Sequence, residues 1–547
     1  MVRACPDPKF GDYQSNSIMS LAKARRMNPR QLAGEIAGSL RLSGLCEQVE
    51  IAGAGFLNFK IKPEALANVL AEACTSDVPF VDRAANPITA VVDFSSPNVA
   101  KPMHVGHIRS TILGDCLARM LRLLGHRAVT DNHIGDWGTQ FGKLLTGWKT
   151  DLDRAALERD PIGEMERLYK KINAASETNP AVLEQARQEL VKLQAGDETN
   201  LAIWHEMIAL SQVQFETIYR RLGVKFDHTY GESFYNPRLG PLVAELLAKG
   251  IARESESATV VFFDEDPKLK GHPALVRKSD GAFNYATTDL ATLQYRVETW
   301  NPAKIIYVTD GRQQLHFEQI FAAFRRWQPQ VGAELAHVWF GSILGEDGKP
   351  FKTRSGDTVK LSDLLDEAEE RALRVVSDKS PELNETERKE IARVVGIGAV
   401  KYADLLPNRQ SDYVFSWDKM LALNGNTAPY LQYAYARIRS IFRKGGIDAS
   451  ALNRNKLVLE AGEEIALARH LLNFGMILEA VLEDYRPNYL CNYLYELAGK
   501  FTGFYENCQV LKSEGAVRES RLILCDLTAR VLKTGLNALG IEVLEKM

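Results

Sequence analysis

The spacing of apolar positions changes character along the chain, and each change predicts a different kind of element. In residues 1–86, Ile18, Leu21 and Ala22 recur at helical spacing, as do the apolar positions between Leu32 and Leu40. Alternation from Val49 to Ile61 then reads as strand, so this part is a small α+β module. From Pro87 the pattern is strand, loop and helix. Val91 and Val92 end a strand at Asp93, and Ser95-Ser96-Pro97-Asn98 cannot extend it, because proline lacks a ladder donor and asparagine favours turns. Ile108, Ile112, Leu117, Met120, Leu121 and Leu124 follow at helical spacing and stop at Gly125, a residue suited to the left-handed end of a helix. A second strand begins at Ala128. Strand, helix and strand at this spacing form a βαβ unit, which predicts a parallel, doubly wound sheet. Residues 149–222 turn helical and charge-rich, with repeated apolar steps such as Leu201, Trp204, Ile208 and Leu210, and read as an insertion carried on the sheet domain. Sheet-like segments resume at Thr259–Phe263 and Ile305–Thr309, with a helix starting near Tyr285 between them. Residues 387–547 read as wholly helical, with Leu431, Ala434, Ile438 and Ile441 on one ladder and Leu490, Leu494, Leu497 and Phe501 on another. The fold class is therefore multidomain α/β: an α+β module at 1–86, a parallel-sheet domain at 87–386 and an all-α bundle at 387–547.

The first strand-to-helix junction carries the sharpest chemistry. His104-Val105-Gly106-His107 stands where the loop enters the helix, and there free backbone N–H groups and the helix dipole attract anions. Each imidazole can donate a hydrogen bond to a phosphate oxygen, and Gly106 leaves room for a flat base against the backbone. With 10 His and 39 Gly in 547 residues, chance alone produces the pattern in roughly one chain in eighty. Its place after a strand and before a helix is what makes it a phosphate-site candidate.

Other stretches add to it. Gly135-Asp136-Trp137-Gly138-Thr139-Gln140 is a second ligand-facing loop after a strand. Tyr285 and Asp289, four apart on one helix face, suit a planar cation, or else form an ordinary solvated first turn. Residues 345–357 make a glycine-bearing loop with cations Lys349, Lys352 and Arg354, suited to a polyphosphate or to an ordinary basic hairpin. Phe10, Tyr13, Gln14 and Asn16 set aromatic faces beside amides, a combination that stacks on and reads an unpaired base; the competing reading is a turn packed on its own helix.

Composition narrows the class only slightly. The chain is long enough for about three domains. Its 67 Lys plus Arg against 70 Asp plus Glu leave a net charge of −3, so any polyanion must be met by local patches. Seven scattered cysteines without a C-x-x-C pair argue against a zinc site or a disulfide framework. No metal site, no bilayer-spanning run and no signal pattern is read here, and a cytoplasmic protein is expected.

Taken together, Ser95-Ser96-Pro97-Asn98-Val99-Ala100-Lys101 with His104–His107, Gly135–Gln140, Phe351-Lys352-Thr353-Arg354-Ser355-Gly356 and Gly425-Asn426-Thr427-Ala428-Pro429-Tyr430-Leu431-Gln432-Tyr433 resemble, in order, the signatures of the arginyl-tRNA synthetases, a class I aminoacyl-tRNA synthetase family. The resemblance covers nearly the whole chain. It implies an N-terminal tRNA-core-binding module, a Rossmann-like catalytic domain with insertions, and a helical anticodon-binding bundle; the family usually has a further helix before Phe10-Gly11-Asp12-Tyr13, and a truncated start or a misassigned initiator would account equally for the few residues there. It implies the reaction of ATP with L-arginine to arginyl-adenylate, then transfer to the terminal ribose of tRNA(Arg), by a monomer with Mg2+ on the phosphates.

By that resemblance His104, His107, Lys101, Lys352 and Arg354 act on the phosphates and Gly106 packs on adenine. Asp93, Tyr285 and Asp289 hold the guanidinium. Ser96, Asn98 and Gln313 hold the α-amino and carboxylate end, His316 closes the same loop, and Tyr430 and Gln432 join the N-terminal residues in binding tRNA. The phosphate loop departs from the two-lysine form common in this class, a gap that Lys101 is expected to fill. Two alternatives remain: another His-x-Gly-His nucleotidyltransferase, against which the helical C-terminal block speaks, and a noncatalytic RNA-binding paralogue, against which the intact histidines and acidic residues speak.

Overall fold

The computed structural model describes residues 2–5, 7–351, 359–452, 454 and 457–547. Near the N-terminus, β1 (Arg3–Ala4), β2 (Tyr13–Ser15), α1 (Ser17–Arg25), α2 (Pro29–Ser39), β3 (Cys46–Ala52) and β4 (Phe56–Ile61) form a module with sheet order β1-β2-β4-β3. The alternation read as one strand over 49–61 is a hairpin, because Gly53 and Gly55 both adopt positive φ and turn the chain back. Ile18, Ala22, Leu32, Leu57 and Phe59 make this module's own core, and α3 (Pro63–Thr75) leads out of it.

The second body is built on β5 (Thr89–Asp93), α4 (Val105–Leu123) and β6 (Arg127–Ile134), the βαβ unit of the sequence pattern. Helices α5 (Gln140–Asp151), α6 (Arg154–Arg159), α7 (Pro161–Thr178), α8 (Pro180–Gln194) and α9 (Glu198–Leu222) then pack on one another before β7 (His228–Gly231) rejoins the sheet. After α10 (Asn236–Ala248), the strands β8 (Ala252–Ser255), β9 (Ala258–Val261) and β10 (Ala274–Arg277) form a separate antiparallel sheet, so the segment read near Thr259 lies outside the parallel one. Next come α11 (Tyr285–Trp300), β11 (Lys304–Tyr307), α12 (Gln314–Trp327) and β12 (Glu334–His337), and the parallel order is β12-β11-β5-β6-β7. The order reverses direction between β5 and β11. In open α/β sheets ligands settle at the carboxyl ends of strands beside such a reversal.

A short strand β13 (Ile343–Leu344) precedes α13 (Leu361–Lys379) and α14 (Glu385–Leu405), and pairs in parallel with β14 (Tyr413–Val414). The remainder is α15 (Trp417–Met420), α16 (Ala428–Gly445), α17 (Gly462–Leu472), α18 (Phe474–Asp484), α19 (Asn488–Asn507) and α20 (Gly515–Ala538). The helical ladders of the sequence are the buried faces: Leu431, Ile438, Leu490, Leu494 and Phe501 join one core that continues into α4 and the sheet. Against the sequence reading, one stretch among the described residues, Gly462–Asp484, is long and apolar enough to cross a membrane. It is two helices meeting at Asn473, and Leu467, Leu471, Phe474, Leu478 and Val481 are buried in the bundle. The N-terminal module docks on this bundle: Arg469 Nε lies 2.9 Å from Asp12 Oδ1, and the Tyr13 phenol donates to Asn473 Oδ1 at 3.1 Å.

Candidate active site

The loop after β5 departs from ordinary backbone. Ser95, Ser96 and Ala100 have φ of 77°, 50° and 60°, a left-handed conformation that costs a residue with a side chain about 1 kcal/mol or more. Side chains from three elements hold it there. Ser95 N donates to Ser110 Oγ at 2.8 Å, Ser96 N donates to Asn132 Oδ1 at 3.1 Å, and Ala100 N donates to Ser211 Oγ at 2.9 Å. Behind them the buried Tyr219 phenol sits 2.8 Å from Ser95 Oγ and accepts from Asn132 Nδ2 at 3.1 Å. Tyr219→Phe removes both contacts at a cost of about 1–3 kcal/mol, which thermal melts of the variant beside the wild type should show as a lowered midpoint.

That loop delivers His104 as the N-cap of α4. Its Nδ1 accepts from Gly106 N at 3.0 Å, and His107 Nδ1 accepts from His104 N at 3.1 Å. A backbone N–H can only donate, so both Nδ1 atoms are acceptors and each neutral ring carries its proton on Nε2. Burial, with the His104 ring next to it, pushes the pKa of His107 down to about 3. Burial and then Lys101 lower that of His104. The pair is thus a set of neutral N–H donors, not of cations, at a helix N-terminus. Gly106 serves this arrangement directly: a Cβ there would stand 2.7 Å from His104 Cε1.

The histidines open on a cavity of about 610 Å³ at the strand reversal. It is lined by Asp93, Ser96, Asn98, Gly106, Tyr285, Asp289, Gln313 and His316 from the sequence reading, together with Glu232, Asp310 and Phe340. Tyr285 and Asp289 do share the first turns of α11, with Tyr285 69% exposed at the cavity mouth. Asp289 Oδ2 meets His316 Nε2 at 2.5 Å, and although burial lowers the pKa of His316, that hydrogen bond and the aspartate's charge raise it overall.

Two features differ from the sequence reading. Asp93 already has a guanidinium of the protein's own: Arg296 Nη2 lies 2.6 Å from Asp93 Oδ2 and 2.7 Å from Asp131 Oδ2, all three side chains being buried. Two carboxylates against one guanidinium leave one formal negative charge under the cavity floor. Burial raises the Asp93 pKa and Arg296 opposes it. The second feature is Glu232, directly after β7. Its carboxylate faces the cavity with no hydrogen-bond or ion-pair partner among the described residues. Burial, then Asp289, then Asp136 push its pKa up to about 8. Asp136, from the glycine-rich loop after β6, fixes the turn that carries it by accepting from Ser233 N at 2.8 Å and Ser233 Oγ at 2.6 Å. The polar strand His228–Gly231 ending in glycine is the signal that would have pointed to this turn.

Other candidates lie elsewhere. Lys101 is exposed, its Nζ 5.3 Å from the Tyr169 ring of α7. Lys352 and Arg354 lie outside the described residues. Of the residues read as RNA-facing, Phe10 is exposed, whereas Tyr13 is bonded to Asn473 and Gln14 Nε2 donates to Asn58 Oδ1 at 2.7 Å. Asn16 is the N-cap of α1 without a side-chain cap bond. Gln432 is fully buried, with Nε2 donating to Glu542 O at 2.9 Å and Val394 O at 3.2 Å, so it has no face for RNA. Tyr430 is half-buried, edge-on to Tyr495 at 5.7 Å.

A parallel sheet whose central strand hands a His-x-Gly-His N-cap to a helix is the framework of a class I aminoacyl-tRNA synthetase, and residues 69–417 match the family model described as tRNA synthetases class I (R), catalytic domain. Residues 1–61 match the arginyl tRNA synthetase N terminal domain, and 431–547 the DALR anticodon binding domain. Arginine–tRNA ligases of Picosynechococcus sp. and Klebsiella pneumoniae are 48% and 47% identical, each over 100% of this chain and 95% of the relative. Among solved structures, arginyl-tRNA synthetase from Plasmodium falciparum superposes with a TM-score of 0.86 at 31% identity, covering 100% of this chain and 95% of that one. The Thermus thermophilus arginyl-tRNA synthetase gives 0.84 at 26%, covering 100% and 96%. The chain belongs to the arginyl-tRNA synthetase family, and its activity is ATP-dependent ligation of arginine to tRNA.

Proposed function

We propose that the 610 Å³ cavity is where arginine and ATP react. The single observation that carries this is the meeting, in one hollow, of neutral histidine N–H donors at a helix N-terminus with Asp289 and with Glu232, which has no partner among the described residues. The substrate guanidinium sits between Glu232 and Asp289 with the Tyr285 phenol beside it, above the Asp93–Arg296–Asp131 triad. Asn98, Ser96 and Gln313 take the α-amino and carboxylate end. An arginine carboxylate oxygen then attacks the α-phosphorus of ATP in line, the bond to the β-phosphate bridging oxygen breaks and pyrophosphate leaves. His104 and His107 donate from Nε2 to oxygens whose charge grows in that step, and such donors count most when aimed beforehand. Lys101, Lys352 and Arg354 steady the leaving phosphates. Mg2+ enters as MgATP, a substrate, held by phosphate oxygens and water. The terminal ribose hydroxyl of tRNA(Arg) then attacks the adenylate carbonyl and releases AMP.

The division into a tRNA-core module at 1–86, a catalytic domain at 87–386 with its helical insertion at 149–222, and an anticodon bundle at 387–547 goes with this reading. So do a monomeric state, a cytoplasmic location and tRNA contact through Phe10, Asn16 and Tyr430. The test is amino-acid-dependent pyrophosphate exchange with and without tRNA. Exchange should require arginine and tRNA, with citrulline inactive because it lacks the charge that Glu232 and Asp289 need. Equal exchange with citrulline or lysine would overturn the pocket assignment.

A further inference from the structure

Arg109 stands two residues past His107 on α4 and is 2% exposed. A guanidinium so buried, one turn from the reacting groups, needs an account. Its Nη1 donates to Gly341 O at 2.7 Å and to Ser411 O at 3.2 Å, and its Nε lies 3.0 Å from Asp404 Oδ1 on α14. The rings of Phe340 and Tyr413 stand 5.6 and 5.1 Å from its central carbon. Three segments far apart in the chain therefore converge on one side chain: the histidine helix, the wall of the cavity at Phe340–Gly341, and the start of the C-terminal bundle.

Arg109 bonds that wall directly to α4. Phe340 lines the cavity and pairs with Asp310, its O accepting from Gly311 N at 3.1 Å, and β13 continues from it. Gly341 has no room for a side chain, since a Cβ would stand 2.7 Å from Ser411 O. The wall follows β12, at one edge of the parallel sheet, whereas Glu232 follows β7 at the other edge. A shift of the wall relative to α4 therefore acts first on the space in front of the histidines, at the sheet edge away from Glu232.

We infer that Arg109 is a positioning residue that fixes the gap between the histidine helix and the Phe340–Gly341 wall, and through Asp404 ties that gap to the placement of the C-terminal bundle. This rests on the reading of the cavity as the adenylation site. Lysine keeps the charge but loses the planar fork that reaches two carbonyls and a carboxylate at once.

The test is pyrophosphate exchange by full-length Arg109→Lys with tRNA present, combined with arginine binding by titration calorimetry. The expected result is a fall of about 100-fold in kcat/KM for ATP, on the scale of a positioning error near the chemistry, with the arginine Kd within twofold of wild type. Tyr413→Phe, which keeps the ring beside Arg109 but removes the hydroxyl that hydrogen-bonds Asp404, should show the same split at about five- to tenfold, and it carries the test alone should Arg109→Lys not fold. The inference is overturned when a folded variant keeps its kcat/KM for ATP within threefold, or when ATP and arginine parameters worsen together, as a general loosening would make them. Lack of arginine-dependent exchange in the wild-type protein would instead remove the underlying site reading.

Discussion

Glu232→Gln should weaken arginine binding about 100-fold at pH 8.5 and remove most of its dependence on pH. In the free protein this carboxyl, pushed up to about 8 by burial and by Asp289 and Asp136, is mostly protonated at neutral pH. A bound guanidinium favours the ionised form, so arginine binding releases up to one proton below pH 8. The arginine Kd of the wild type should fall as pH rises from 6.5 to 8 and then level off, whereas the glutamine variant keeps only the smaller dependence set by His316, whose pKa the bond to Asp289 raises. The expected loss, about 3 kcal/mol, is that of leaving one partner of a desolvated charge pair unmatched. The same shift has a stability consequence of opposite sign. A carboxyl whose folded pKa lies above its unfolded value binds more protons in the folded state, so its cost to folding grows as pH rises from about 4.5 to about 8. Glu232→Gln should therefore melt higher than wild type at pH 9 and at the same temperature near pH 5. Thermal scans at the two pH values, alongside calorimetry in buffers of different ionisation enthalpy, read both effects.

The second large effect belongs to the histidine pair. Because Nδ1 of His104 and His107 serves the helix cap, only Nε2 is left to donate into the cavity, and on the proposed reading the two residues act there as neutral donors to developing charge. Removing one such donor costs about 100- to 1,000-fold in rate. His107→Asn, whose amide can still accept at the cap, should lose that much in arginine-dependent exchange, with the arginine Kd changed less than threefold. With a pKa of about 3 on His107, the rate of the wild type should show no fall with the protonation of this residue between pH 6 and 9. Retention of more than a tenth of wild-type exchange by His107→Asn would place the phosphate elsewhere.

How much of this was legible in the sequence depends on the range of the contact. The βαβ unit, the His104–His107 junction and the Tyr285–Asp289 face were readable because each is set by residues within one or two turns of itself. Glu232 was not, because β7 is only four residues long and mostly polar, so no apolar alternation marks the strand that presents it. The pairing of Asp93 with Arg296 spans 203 positions, and no local pattern shows that a conspicuous carboxylate is already answered from within. Tyr13, Gln14 and Gln432 make the same point from the other side. Their residue types suit RNA, but whether a polar group faces solvent or a neighbour is settled by long-range packing, within one domain for Gln14 on Asn58 and Gln432 on Glu542 and between domains for Tyr13 on Asn473.

The most direct test of the central claim is a crystal structure of the protein with a non-hydrolysable arginyl-adenylate analogue. The account predicts the guanidinium within hydrogen-bonding distance of both Glu232 and Asp289, Arg296 still on Asp93, and the phosphate against Nε2 of His104 and His107. A guanidinium seated on Asp93 in place of Arg296, or lying at the cavity mouth away from Glu232, would contradict it.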